Sequence, residues 1–175
     1  MSKPRPAEAV KLFMSTIYAD DDIVKKFLEI LAEHYGDIDF ISARTSFHYT
    51  DYYTEEIGSH LLRRVVFFDT LIRPESLPDV KLFTNDVEDR FTVNGKRRVN
   101  IDPGYISQAH LILATGKGYT HRPYLRDGIY ADLTLIYRGK SFHFLPWTYP
   151  DYAEKHAIEM FNKIRSKYIT QLKPL

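Results

Sequence analysis

Short apolar runs of strand length alternate with two amphipathic segments of helical period in the first part of the chain. The clearest helix follows Asp20, Asp21 and Asp22, which supply an N-cap and first-turn acids, and Gly36 is a typical stop residue. Its apolar positions recur at the spacing of one helix face, namely Val24, Phe27, Leu28, Leu31 and Ala32. A second helix begins around Pro74, and strands are predicted at 9–18, 38–49, 61–72 and 97–101.

The predicted order is therefore strand, helix, strand, strand, helix, strand. This order is typical of a ferredoxin-like split βαβ core (βαββαβ), in which two helices cover one face of a sheet. Further strands are predicted at 109–115, 129–137 and 142–145, followed by a helix that begins near Asp151. We therefore expect an α+β fold in which the ferredoxin-like core is extended by additional antiparallel strands and a C-terminal helix.

The length of the chain fits one domain. Residues 1–8, which include Pro4 and Pro6, are expected to form a mobile N-terminal arm. Residues 9–175 are expected to form a single α+β domain.

Composition excludes several function classes. The chain has no cysteine, which excludes a disulfide framework, cysteine-ligated zinc, iron–sulfur clusters and a thiol nucleophile. Lys and Arg number 24 and Asp and Glu number 23, so a net charge of +1 gives no overall attraction for nucleic acid or an anionic membrane. Apolar runs such as 65–68 are too short to span a bilayer. We expect a cytoplasmic protein that does not associate with membranes and for which nucleic acid is a less favoured partner.

Two motifs known from phosphate-binding and phosphate-cleaving proteins are only partly present. Gly116-Lys117 resembles the end of a P-loop, but Leu111 stands where that motif needs its first glycine and Gly118 where it needs Ser or Thr. His48 and Thr50 have the His-x-Thr form of two-histidine phosphoesterases, but the second copy that acid–base catalysis needs is missing.

The segment 102–132 concentrates charged and aromatic side chains. A turn is predicted at 102–105, and Tyr130 and Asp132 have the even spacing that places both side chains on one side of a strand. The loop before them carries the cationic residues Lys117, His121, Arg122 and Arg126 among Tyr119 and Tyr124. Asp132 brings a charge into an apolar strand, so a buried Asp132 needs a partner, for which His121 and Arg122 are candidates.

Three interpretations of this segment stay open: a buried ion pair under a solvated loop, an anion-binding pocket, and metal-assisted catalysis. For an anion pocket the candidate ligand contacts are Lys117, Arg122, Tyr105, Tyr130 and Trp147. The candidate catalytic groups are Asp102, Asp132 and His121. Mg²⁺ is the expected cofactor if the ligand carries a phosphate, and no protein ligands for a metal are assigned.

Two further stretches have more than one interpretation. The segment 145–152 (LPWTYPDY) either locks the last helix onto the sheet, with Thr148 or Asp151 as its cap, or forms a pocket wall or docking surface. The stretch 51–56 (DYYTEE) contributes acids to the candidate site if its loop folds over that site.

These strings also carry a family resemblance. The stretches 47–58 (FHYTDYYTEEIG), 81–91 (KLFTNDVEDRF), 99–115 (VNIDPGYISQAHLILAT), 121–137 (HRPYLRDGIYADLTLIY) and 145–152 are similar to a bacterial family filed as domain of unknown function 4416. The resemblance covers nearly the whole chain. Some members of that family carry a GTP-binding label, which implies nucleotide binding, although the failed P-loop gives this label no recognisable basis in the present sequence.

Two functions of different classes are compatible with these observations. The first is binding, with or without catalysis, of a phosphorylated or otherwise anionic small molecule through the segment 102–132. The alternative is a non-enzymatic interaction module that binds a protein partner or RNA through exposed tyrosines and the segment 145–152.

Overall fold

The computed structural model describes Met1 and residues 3–173, and a large antiparallel sheet dominates it. The strands of the described residues are β1 (Val10–Tyr18), β2 (Ile38–Ile41), β3 (Thr45–Ser46), β4 (Leu62–Ile72), β5 (Thr92–Val93), β6 (Lys96–Arg97), β7 (Val99–Ile106), β8 (His110–Thr115), β9 (Tyr124–Arg126), β10 (Ile129–Arg138) and β11 (Ser141–Phe144). The helices are α1 (Val24–Tyr35), α2 (Leu77–Arg90), α3 (Pro150–Ala153) and α4 (Lys155–Gln171), and short 3-10 turns at Asp21–Ile23 and Pro74–Ser76 lead into α1 and α2.

The main sheet has the strand order β11-β10-β8-β7-β1-β4-β2, with β3 paired to β4 and β9 paired to β10. Every pairing in it is antiparallel. The small strands β5 and β6 form a separate hairpin. The predicted α+β class with additional antiparallel strands and a C-terminal helix is confirmed at this level.

Helices cover both faces of the sheet, because each central strand carries apolar side chains on both sides. On one face, α1 and α2 pack on β1, β4 and β7 through Phe27, Leu31, Val80 and Val87. We call this the α1/α2 face. On the other, α4 packs through Ala157, Phe161, Ile164 and Tyr168 against residues that include Phe13 and Phe67. We call this the α4 face.

The predicted N-cap Asp20 caps the 3-10 turn that leads into α1. The carboxylate of Asp20 accepts a 2.8 Å hydrogen bond from the backbone N–H of Asp22. Gly36 ends α1 with φ at 90°, a backbone conformation that residues other than glycine rarely adopt.

Four local predictions are wrong. The predicted strand 38–49 is divided into β2 and β3, and the last helix is divided into α3 and α4 at Glu154, whose backbone is extended. Within the part of the chain that the structure describes, neither α3 nor α4 has a side-chain cap, and the Thr148 hydroxyl instead donates a 2.6 Å hydrogen bond to the carbonyl of Thr134.

The fourth error concerns 102–105, which was predicted to be a turn and lies inside β7. Gly104 is needed there for close packing, not for turning the chain. A Cβ at this position would lie 2.4 Å from the carbonyl oxygen of Ile112 and 2.7 Å from Cζ of Phe13. A glycine can mark either a turn or a place in a strand where another part of the protein approaches the backbone closely, and the sequence does not distinguish the two.

Residues 1 and 3–9 have no regular secondary structure and are mostly exposed. The mobility of the arm 1–8 and the single domain 9–175 stay predictions, and residues 2, 174 and 175 lie outside the described part. Among the described residues, no helix has the length and apolar character needed to cross a membrane.

Candidate functional site

The strand register brings Asp102 and Asp132 to the same face of the sheet. Gly104 of β7 pairs with Leu113 of β8, and Leu113 pairs with Asp132 of β10. Directly paired residues point their side chains to the same side, and so do residues two apart in one strand. Asp102, two residues before Gly104, therefore lies on the α4 face together with Asp132.

Asp132 is buried and held by three side chains. Its Oδ2 accepts a 2.7 Å hydrogen bond from Nε of Arg122 and lies 3.3 Å from Nε2 of His121. The hydroxyl of Thr134 lies 3.3 Å from Oδ1. The sequence prediction that a buried Asp132 takes His121 or Arg122 as its partner is confirmed, because both residues contact its carboxylate.

Arg122 uses all three of its nitrogens within the protein. Besides the bond to Asp132, Nη1 donates to the carbonyl of Lys117 and Nη2 to the hydroxyl of Tyr149, each at 3.1 Å. Burial lowers the pKa of Arg122, but the hydrogen bonds to Asp132 and Tyr149 outweigh it and the net pKa is raised. Arg122 therefore ties the 117–122 loop to β10 and to the segment 145–152.

Trp147 lies against the same loop. Its ring stacks on His121 with centroids 4.8 Å apart, and its Nε1 donates a 2.8 Å hydrogen bond to the carbonyl of Leu133. Together with the Thr148–Thr134 hydrogen bond, this contact fastens the segment 145–152 to β10 just before the stretch that pairs with β11. Trp147 is still 40% exposed, so one part of its ring is accessible.

Lys117 meets a loop that is distant in sequence. Its Nζ lies 4.6 Å from the ring centroid of Tyr52 and 3.4 Å from the hydroxyl of that tyrosine. The stretch 51–56 therefore reaches the candidate site through Tyr52. Glu56, one of the acids in this stretch, pairs instead with Arg97.

The turn after Lys117 packs on Tyr130. A Cβ at Gly118 would lie 3.1 Å from the Tyr130 ring, and the ring of Tyr124 lies 5.2 Å from it, centroid to centroid. Through these contacts the Arg122–Asp132 pair is linked to Lys117, Tyr52, Tyr130, His121, Trp147 and Tyr149, and we call this group the Lys117 site.

Asp102 belongs to a neighbouring polar cluster. Its Oδ1 lies 3.4 Å from Nζ of Lys81, and its Oδ2 accepts a 2.7 Å hydrogen bond from the side chain of Asn100. The Asp102 side chain is 35% exposed, so ligands can reach it. Burial raises the pKa of Tyr53, and the charge of Asp102 raises it further, which places Tyr53 within electrostatic reach of this carboxylate.

The same cluster contains a buried acid, Glu88. It accepts hydrogen bonds from Nη1 of Arg97 at 2.6 Å and from the backbone N–H of Ile101 at 2.5 Å. Burial raises the pKa of Glu88, while the charge of Lys81 and the two hydrogen bonds oppose the rise. Sequence reasoning missed Lys81 and Glu88. The signal was present, because both share one side of α2 with buried Val80 and Val87, where a polar residue needs a partner.

Tyr105 does not join the other candidates. It pairs with Leu12 and Ile112, which places its side chain on the α1/α2 face, opposite to Asp102. There it packs in a cluster with Leu77 and Ile112, and burial raises its pKa. Its assignment to the site followed from the predicted turn at 102–105. In a strand, residues three apart face opposite sides.

Two concave regions lie elsewhere on the molecule. One, of about 590 Å³, lies along α1 beside β2, and the other, of about 220 Å³, lies between β2, β3 and the start of α4.

Within residues 1 and 3–173, no group of three or more His, Cys, Asp or Glu residues is arranged to hold a metal ion.

Comparison with known proteins gives one match. A family model described as Domain of unknown function (DUF4416) matches residues 8–168, which is nearly the whole chain. No curated protein and no solved structure matches.

Proposed function

We propose a function from the site itself, because the chain belongs to the family described as Domain of unknown function (DUF4416), a description that names no activity. The proposed function is binding of a small molecule that carries a phosphate or carboxylate group and a base or sugar ring that can stack on aromatic side chains, at the Lys117 site. The observation that carries the proposal is the position of Lys117. Among the described residues, its ammonium group contacts the ring and hydroxyl of Tyr52 and no carboxylate.

A cation over an aromatic ring keeps its full charge for an incoming anion. The exposed rings of the Lys117 site supply stacking surfaces: Tyr52 is 60% exposed, Tyr149 is 52% exposed and Trp147 is 40% exposed. Aromatic faces bind bases and sugars with little regard to their hydrogen-bonding pattern. The combination favours a nucleotide or a phosphorylated sugar over a purely apolar ligand.

The remaining candidates take different parts in this proposal. Arg122 and His121 hold the loop in place through Asp132, since the nitrogens of Arg122 are already engaged. Asp102, which is partly exposed and paired with Lys81, is the carboxylate proposed for any acid–base step. Mg²⁺ enters as the companion of a phosphate ligand.

A thermal-shift screen against GTP, ATP, pyrophosphate and sugar phosphates, with and without Mg²⁺, tests the proposal. A ligand at about 100 times its Kd adds about 2.7 kcal/mol. For a domain of this length that corresponds to roughly 5–10 °C in Tm. Lys117→Ala should abolish the shift and Lys25→Ala, an exposed lysine on α1, should retain it. A shift that Lys117→Ala leaves unchanged contradicts the proposal.

A second function, an interaction module, has its own supporting observation. The aromatic residues Phe144, Trp147 and Tyr149 follow each other closely and are 64%, 40% and 52% exposed. Such a surface is suited to a protein partner or to RNA bases. Binding of short single-stranded RNA that is lost in Tyr149→Ala, together with a screen that shows no small-molecule shift, would favour this function.

We also propose that the core of the fold is ferredoxin-like. The neighbours β7-β1-β4-β2 support this proposal, because the split βαβ unit places its first and third strands side by side between the fourth and the second. The absence of cysteine supports a cytoplasmic location.

A further inference from the structure

β2 forms one free edge of the main sheet, and β11 forms the other. At β11, the backbone N–H of Phe142 donates a 2.9 Å hydrogen bond to the side chain of Asn162 in α4. At β2, the N–H of Ser42 donates to the carbonyl of Val65 in β4. Because backbone groups alternate along a strand, the N–H and C=O of Ile41 point away from β4, and no further described strand lies on that side. These groups can pair with a strand of another chain.

The stretch 40–43 (FISA) of this edge lacks the usual protection against such pairing. Natural sheets protect exposed edges with proline, lysine or an inward-pointing charge. This stretch contains neither proline nor a charged residue, and Phe40 and Ile41 are 38% and 41% exposed. The preceding Asp39 points inward, but two lysines already neutralise its carboxylate, and its side chain is only 10% exposed. Covering this edge therefore buries apolar surface without leaving a charge unpaired.

The two concave regions described above flank this edge on opposite faces of the sheet. Ile41 pairs with Val66 of the α1/α2 face and lines the region of about 590 Å³. Phe40 pairs with Phe67 of the α4 face and lines the region of about 220 Å³. Successive side chains of a strand point to opposite faces, so a strand added beside β2 directs alternate side chains into the two regions.

We propose that this edge is a dimer interface, in which β2 of a second copy of this chain pairs with it antiparallel, across a two-fold axis at Ile41. Irregular pairing before Phe40 and after Ser42 confines a regular ladder to the stretch 40–42, and Ile41 is its centre. Directly paired residues share a face, so Phe40 of each copy lies opposite Ser42 of the other. Because Ser42 lines the smaller region, the Phe40 ring of the second copy enters that region.

Charges on α1 favour a second copy over an unrelated peptide. Lys25 and Glu29 lie one turn apart on the rim of the larger region, with side chains 86% and 60% exposed. Leu28 of the same helix lines that region together with Ile41, so the two-fold axis passes near this level of α1. The axis reverses the direction of α1 in the second copy, so Lys25 of each copy faces Glu29 of the other. The edge is thus complementary to itself in charge as well as in backbone pairing.

The size of this surface also fits a specific interface. Ten residues line the larger region and nine line the smaller one. Stable interfaces use about 20–30 residues on each side. A second copy that fills both regions therefore covers about as much surface as a stable dimer needs.

Cysteine cross-linking tests this arrangement, because the chain has no cysteine of its own. In a hydrogen-bonded antiparallel pair the two Cα atoms lie about 5.5 Å apart, within the ~4.4–6.8 Å that a disulfide spans. Ile41→Cys should therefore form a disulfide-linked dimer under mild oxidation, measured on a non-reducing gel. Ala43→Cys is the matched control, because the two Ala43 residues of the dimer lie four positions apart along the strands, roughly 14 Å, and should not cross-link.

Sedimentation equilibrium of the full chain gives a second test that leaves the edge strand unaltered. Lys25→Glu turns both attractive pairs into repulsive ones and should raise the Kd of the dimer about tenfold. Adding Glu29→Lys to this variant restores opposite charges and should restore the Kd.

Three outcomes would overturn the proposal. The first is an unaltered chain that stays monomeric at its highest soluble concentration, whether or not it captures an extended peptide. The second is equal cross-linking of Ile41→Cys and Ala43→Cys, and the third is a double charge variant that dimerises as weakly as Lys25→Glu alone. Lys117→Ala should leave the dimer unchanged, so this proposal and the ligand site fail separately.

Discussion

Nε of Arg122 donates a 2.7 Å hydrogen bond to Oδ2 of Asp132, between a loop and the strand that follows it. The same guanidinium contacts the carbonyl of Lys117 and the hydroxyl of Tyr149. One residue thus determines where the 117–122 loop, β10 and the segment 145–152 lie relative to each other. An anion site at Lys117 depends on this arrangement even if Arg122 never contacts a ligand.

The first prediction concerns the stability that this pair provides. Arg122→Ala leaves Asp132 buried with only His121 and Thr134, so the free energy of unfolding should fall by about 3 kcal/mol. Urea unfolding followed by circular dichroism measures it. The control is Arg126→Ala, whose exposed side chain pairs with Asp79 and Asp127 and should cost less than about 1 kcal/mol. Equal losses in the two variants would show that the buried pair has no special role.

The second prediction concerns close packing at Gly104. A Cβ there meets the backbone of Ile112 and the ring of Phe13, so Gly104→Ala should destabilise the fold by about 2–3 kcal/mol. Gly116→Ala is the matched control, because no atom lies within 4 Å of its added Cβ. The control should be neutral or slightly stabilising, since alanine reduces the freedom of the unfolded chain. A Gly104→Ala protein as stable as the control would contradict the strand packing described above.

The third prediction concerns the pH dependence of Glu56. Hydrogen bonds from Arg97 lower the pKa of Glu56 below its ordinary value of 4.5. A carboxylate with a lowered pKa stabilises the fold above that ordinary value and loses this contribution as the pH falls through the folded pKa. Glu56→Gln should therefore cost about 1 kcal/mol near neutral pH, and the difference should shrink in acid.

Urea unfolding at neutral pH and again below 4.5 measures this difference. Glu29→Gln is the control, because its side chain is 60% exposed and its partner is Lys25 in the same helix. It should have a smaller effect at neutral pH. A Glu56→Gln penalty that stays constant on acidification would count against the ion pair with Arg97.

The fourth prediction separates the two roles of Trp147. Trp147→Phe keeps a ring against His121 but removes the hydrogen bond to the carbonyl of Leu133, which should cost about 1 kcal/mol of stability. Phe144→Ala removes a ring that is 64% exposed and should change stability by less than about 0.5 kcal/mol. Thermal unfolding of both variants provides the comparison. If the Trp147→Phe variant is as stable as the unaltered protein, the hydrogen bond from Trp147 to Leu133 does not fasten the segment 145–152.

Much of the secondary structure could be predicted, because its signals are local. The apolar spacing from Val24 to Ala32 predicts α1, and the Asp20 cap and Gly36 stop lie where the pattern places them. The charge at Asp132 in an apolar strand also indicated a buried pair, since an unpaired buried carboxylate is too costly to keep. Helix capping at 148–151 and the turn at 102–105 were wrong because the same residues satisfy other local geometries.

The fold class, the main strands and helices, and the need of Asp132 for a cation all follow from local patterns in the sequence. The strand order and register were needed to show that Tyr52 lies beside Lys117, 65 residues away, and that Tyr105 faces away from Asp102. The fold also brings Arg63, buried in β4, to within 3.3 Å of the Asp151 carboxylate. This difference arises because hydrophobic periodicity depends on neighbours along the chain. Strand order and register instead set which distant side chains meet, and a register shift of one residue moves the side chains of a strand to the other face of the sheet.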